Sequence, residues 1–261
     1  MMYLKLLRRY WQLAIARETH YRANFIALAI VGIVETIVTV LPMLLLFEFT
    51  VTLDGWTRGE TIALVGLYRT AISLYELIAG NGVLQLSSDI EKGDLDLLLI
   101  RPVNTQFQVT FRYVSLFQIV NVLVGLSVFV LGVTRADFPA NWSVIAQAFL
   151  VFASGIVLLG SVISAGSYIA FRATTVEQLP WAVIDIAQMG QYPIRFYPGP
   201  VRTVLTVLVP VAFVTTIPIE ALRGTLGWVM TFGAVAFAAV AILALRWWWN
   251  NSVRHYASAS S

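Results

Sequence analysis

Cysteine is absent from the 261 residues, which excludes a disulfide scaffold and any thiolate metal site. Histidine occurs only at His20 and His255, near opposite ends of the chain, leaving little from which to build a zinc site or a Ser-His pair. Lysine is confined to Lys5 and Lys92. Neither lies in a G-x-x-x-x-G-K-[ST] run, so the sequence holds no P-loop for ATP. H-E-x-x-H and G-x-S-x-G are missing as well. Charge is scarce too: 12% of residues are Asp, Glu, Lys or Arg, about half the share of an average soluble domain. A net charge of +3 is too small to suggest a nucleic-acid partner.

What the chain has is apolar surface, 59% of its residues, arranged in long runs. That composition implies an all-α, polytopic membrane protein. Residues 1–23 read as an amphipathic interfacial helix. Leu4, Leu7, Trp11, Ala14 and Ile15 recur at helical spacing among Lys5, Arg8, Arg9, Arg17 and Arg22, a pattern suited to an anionic lipid surface. Scattered arginines and the lack of a small-residue cleavage site argue against a signal peptide.

The remainder, 24–261, reads as a transmembrane domain of about six helices. Asn24–Phe47, Thr61–Leu86, Tyr113–Val133 and Trp142–Phe171 are four spans, and Gly227–Leu245 is the last. The fifth has two parses. In one, the apolar run Thr203–Ile219 spans; in the other, Leu179–Tyr192 spans and Thr203–Ile219 re-enters from outside. Hydropathy favours the first. On that parse the N-terminal arm, the larger loops and the tail hold thirteen Lys and Arg against three opposite, and the second parse gives eleven against five. Either way the positive-inside rule places both termini in the cytoplasm. Trp56, Trp142 and Trp228 are expected at the outer interface, Trp11 and Trp247 to Trp249 at the inner one.

A polar island, 87–112, interrupts the apolar runs. Asp89, Glu91, Lys92, Asp94, Asp96 and Arg101 alternate with Leu95, Leu97, Leu98, Leu99 and Ile100, and Gly93 and Pro102 punctuate the stretch. The pattern predicts a short helix from Leu95 to Ile100, capped by Asp94 and stopped by Pro102. An ordinary solvated loop is the plainer alternative.

Charges inside the spans form a second candidate site. Glu35 lies near the middle of the first span, and Arg69 and Glu76 share one face of the second, about 10 Å apart along its axis. Such charges face a partner or a water-filled cavity. Glu35 either pairs with Arg69 in a structural contact or joins Glu76 along a cation path, with Tyr68 and Tyr75 nearby for cation–π contact. Gly155, Gly160, Ser161, Ser164, Ala165 and Ser167 give the fourth span a small-residue surface for close packing. Arg195, Tyr197, Pro198 and Pro200 are expected to shape a bend.

The run Ile90-Glu91-Lys92-Gly93-Asp94-Leu95-Asp96, followed by Leu99-Ile100-Arg101-Pro102, resembles the first cytoplasmic loop of type-2 ATP-binding-cassette (ABC) export permeases. The ending Arg254-His255-Tyr256-Ala257-Ser258-Ala259-Ser260-Ser261 is similar to the tail of a branch that includes viologen exporters. The resemblance implies a coupling helix that docks on a separate ABC ATPase subunit, which would bind the ATP and Mg; this chain would need no cofactor of its own. Gly93, Leu95, Leu99 and Pro102 match the family skeleton, and Glu91, Asp94 and Arg101 would be salt-bridge partners for the ATPase groove. It further implies the bacterial inner membrane, a second permease subunit meeting the first and fifth spans, re-entrant helices before the last span, and, in the viologen-like branch, a lipophilic cation as cargo. An ion-coupled secondary transporter is the main rival. It would place coupling on Glu35 and Glu76, and usually shows internal repeats, of which none is evident.

Overall fold

A computed structural model describes residues 2–20, 22–139, 141–172, 178–254 and 256. Helix α1 (Met2–His20) leads into α2 (Arg22–Leu46), and a hairpin of β1 (Thr52–Leu53) and β2 (Trp56–Thr57) turns the chain back. Helix α3 (Arg58–Tyr75) runs through a π-helical turn, Glu76–Gly80, into α4 (Asn81–Leu84) and α5 (Leu86–Glu91), together a column of 34 residues. Two short helices follow, α6 (Asp94–Leu99) and α7 (Thr105–Phe111), then α8 (Gln118–Val133) and α9 (Trp142–Tyr168). Helices α10 (Leu179–Gln188), α11 (Gly199–Thr203) and α12 (Thr216–Leu222) are short, and α13 (Trp228–Arg254) is the last helix.

Four of these are long and apolar enough to cross a bilayer: α2, the α3–α5 column, α9 and α13; α8 is apolar but shorter. The column begins three residues before the expected span, because Thr57 and Glu60 close a capping box around its first turn. Conversely, α8 starts five residues late. Ser115 is tied to the column, its N–H donating to Leu77 O at 3.3 Å and its hydroxyl bonded by Asn81, so residues before Gln118 cannot join the helix.

Helix α3 is the buried centre. Its closest partner is α8, and the approach is set by glycine: a Cβ at Gly66 would collide with the backbone of Phe129, and one at Gly132 with Ala63. The small-residue surface expected on α9 is also used. Gly155 lies against the backbone of Phe213 and Gly160 against the Tyr75 ring. The tightest backbone contact is nevertheless α3 on α8, held by glycines that the sequence does not set apart from others.

The fifth region differs from the favoured parse. Thr203–Ile219 is not one straight helix: Gly199–Leu208 and Val211–Leu222 meet at 73°, where Pro210 lacks a donor for a continuous ladder and Val204–Leu208 is a π-helical turn. Contacts trace the course. Leu179 and Pro180 lie beside Gly166, near the polar-loop end of α9. The chain then climbs until Arg195 pairs with Glu220 at 3.2 Å, close to the β-hairpin end. It dips back so that Phe213 packs on Gly155, about 16 Å along α9 from Gly166 at 1.5 Å per residue. Finally α12 rises again, and Arg223 reaches Glu60 beside β2. Residues 199–222 thus form a hairpin that enters and leaves from one end, while 179–196 traverse the bundle. Tyr197 shapes the bend by donating its hydroxyl to Met189 O at 2.9 Å.

Two other expectations are corrected. Trp56 is fully buried under the Arg223 guanidinium, 4.3 Å from its ring centroid, so it belongs to the core and not to an interfacial belt. Trp249 is likewise buried, edge-on to Tyr168 and Phe171, whereas Trp142, Trp228, Trp247 and Trp248 are exposed. Helix α1 packs on the bundle, with Tyr10 and Ala14 against Leu77 and Val114.

Candidate functional site

The polar island folds into α5, α6 and α7. Gly93 takes a left-handed conformation, φ 74°, which glycine adopts without the Cβ penalty, and it occupies the N-cap position of α6. Asp94 is therefore the first residue of the helix and not its cap. Beneath α6, Leu95 and Leu98 are buried with Leu86, Ile90, Val109, Phe171 and Trp249. Gln108 Nε2 donates to Leu98 O at 3.4 Å and Val103 O at 3.3 Å. Asp89 and Arg112 form an ion pair beside them, their side chains 6% and 13% exposed. The loop is thus a packed platform on the ends of α9 and α13.

The outward face of that platform carries Glu91, Lys92, Asp94, Arg101 and Pro102, all exposed. Between the charges protrude two apolar side chains, Leu97 at 57% and Ile100 at 80% exposure. Among the sequence-derived residues, Leu95 faces inward and Leu99 is half-buried, so both support α6 and neither heads its outer surface. Leu97 and Ile100 are the residues missed. Their i, i+3 spacing is a signal, but five consecutive apolar or near-consecutive positions hide which face is free. Tyr10 of α1 lies near this platform: burial raises its pKa, with Arg101 and Arg112 pulling the other way.

The second site is a cavity of about 560 Å³ between α2, α3, α8 and α10. Arg69 Nη1 donates to Glu35 Oε2 at 2.9 Å, and its Nη2 donates to Gly32 O at 3.1 Å. Arg69 is 16% exposed at its side chain and Glu35 59%, so the carboxylate opens outward from a held guanidinium. Glu76, at the start of the π-turn, accepts from Gln118, whose Oε1 accepts from Asn121 at 2.7 Å. Such turns recur at functional sites because they redirect one side chain within a helix. Tyr68 lines the cavity; Tyr75 does not, being packed against Gly160 of α9. On the opposite wall are Trp181, Asp185, Gln188 and Gln191, the last accepting from Thr39 at 2.9 Å. Asp185 and Trp181 escaped notice in the sequence because their helix was not placed against α2 and α3. Three carboxylates and one guanidinium therefore line the same cavity.

Fold and site together define a multi-pass helical membrane protein with a cavity lined by charged and polar side chains between its helices and a packed surface loop. A family model described as ABC-2 family transporter protein matches residues 33–260. The chain belongs to the ABC-2 transporter family, and as a member it is a permease component of an ABC transporter that works with ABC ATPase partners. No curated protein and no solved structure matches it.

Proposed function

We propose that this chain is a half-permease of an ATP-driven exporter, with six crossings of which 179–196 is the fifth. In this reading both termini and the α5–α7 platform are cytoplasmic, in a bacterial inner membrane. The chain has no ATP site of its own; α6 would seat in a groove of each ATPase subunit, Leu97 and Ile100 filling it and Glu91, Asp94 and Arg101 making the surrounding ion pairs. One observation carries the proposal: the unbroken column from Arg58 to Glu91 holds Arg69 and Glu76 in the cavity and ends at the platform. Closure of the ATPase pair would push α6, and a packed column transmits that push as rigid-body motion.

A second permease subunit would cover the outward face of α2, where Ile30, Val34 and Ile37 are exposed beside Glu35. The cargo best suited to three carboxylates, one arginine, Trp181 and Tyr68 is an amphipathic organic cation, held by charge and by ring faces. The test is a photo-crosslinker at Ile100 in native membranes. Capture of an ATPase-sized partner, with a yield that changes on adding ATP, supports the reading. No such partner, with transport driven by a proton gradient alone, would sink it in favour of ion coupling through Glu35 and Glu76.

A further inference from the structure

Beside the end of α1 and the start of α2 lies a groove of about 340 Å³, separate from the cavity and from the platform. Ile15, Phe25, Ile26 and Leu116 line it, with Glu18 and Arg22 at its rim. The two rim charges differ in what they have left to offer. Glu18 is paired with Arg17 at 3.3 Å, and Arg17 also donates to Val114 O at 2.8 Å. Arg22 makes a bond only within its own turn, Nε to Thr19 O at 3.2 Å, and among the described residues no carboxylate lies within ion-pair distance of it. An uncompensated guanidinium thus stands over an apolar slot at the point where the chain enters the membrane.

We propose that this groove binds one anionic phospholipid, its phosphodiester on the terminal nitrogens of Arg22 and an acyl chain along Phe25, Ile26 and Leu116. A planar guanidinium suits a phosphate bidentately. A zwitterionic headgroup fits worse, because its ammonium finds the nearest carboxylate already taken by Arg17. Lys5, Arg8 and Arg9 are exposed on α1 and attract the same lipids from the surrounding leaflet. The bound lipid would bridge the junction of α1 and α2 to residues 114–116, which the Ser115 bond to Leu77 joins to the α3–α5 column. It therefore acts as a strut against the middle of that column.

The test uses the full chain in nanodiscs of mixed phosphatidylglycerol and phosphatidylcholine, with retained lipid read by native mass spectrometry. One phosphatidylglycerol per chain should survive, at a preference of ten-fold or more, and Arg22→Gln should abolish the preference. Ile26→Trp, which keeps every charge but fills the slot, should lose the adduct and carries the test should Arg22→Gln fail to insert. Arg9→Gln should leave the adduct in place. Equal retention of both lipids by the wild type, or an adduct that persists in Ile26→Trp, overturns the proposal. So does displacement by soluble glycerol phosphate, which would mark a phosphate site without an acyl requirement.

Discussion

Replacing Leu97 and Ile100 together by alanine separates the surface of α6 from its foundations. Both side chains are largely in water, 57% and 80% exposed, and neither belongs to a buried cluster, so the fold should tolerate their loss. Burying such a side chain fully is worth about 1.5–3 kcal/mol. Scaled by the exposed fractions, the pair would contribute roughly 2–4 kcal/mol to docking if the ATPase covers it. At 1.4 kcal/mol per factor of ten, affinity should fall by between about thirty-fold and several hundred-fold. The assay is titration of the ATPase subunit onto the permease in nanodiscs, with thermal unfolding of the permease measured alongside. Leu95→Ala provides the contrast: that side chain is fully buried, so truncation should cost about 2–5 kcal/mol of stability. If the double variant binds and couples like the wild type, α6 does not dock through this face and the reasoning fails.

Other expectations follow from the same geometry. Asp89→Asn leaves the buried Arg112 unpaired and should lower stability by about 3–5 kcal/mol, read by thermal melting; a Asp89→Asn, Arg112→Met double variant should recover much of it, and failure of the single variant to destabilise would refute the pairing. Gly66→Leu forces a side chain into the Phe129 backbone and should cost about 1–3 kcal/mol or more, an unchanged melting temperature contradicting the close contact of α3 and α8. Glu35→Gln and Asp185→Asn should each reduce efflux of a fluorescent organic cation while ATPase association persists; loss of association instead would make the residues structural. Arg223→Gln removes the two bonds that Glu60 accepts from the end of α12 at 2.5 and 2.7 Å, leaving it held by Thr57 alone among the described residues. It should therefore loosen the hairpin and increase protease access to residues 199–222, with wild-type access counting against the clamp.

Legibility varied with how local each determinant is. The long apolar runs specify α2 and α9 nearly to their ends, and the Gly93 and Pro102 breaks frame α6, whereas α13 continues nine residues past the expected Leu245, through the tryptophan run to Arg254. Glu35 and Arg69 could be paired on paper because α2 and α3 are consecutive and antiparallel. The orientation of α6 was not readable, since a helix under two turns long with leucine at most positions has no unique apolar face. The course of 179–222 escaped for a different reason. Hydropathy averages over a window, whereas the outcome turns on one residue inside the run, Pro210, and on contacts to Gly155 and Gly166 outside it. Trp56 looked interfacial by type, but its burial depends on Arg223, far along the chain.

The hairpin of α11 and α12 has a consequence for parity. A segment that returns to the side it came from adds apolar length without changing the side on which the chain next emerges. On the proposed topology, the orientation of α13 depends on residues 179–196 and not on the more apolar 199–222. Excising the hairpin and joining its ends should leave the C-terminus where it is. Removing 179–196 should carry it to the opposite side, and a C-terminal reporter read on both faces of the membrane would register the inversion.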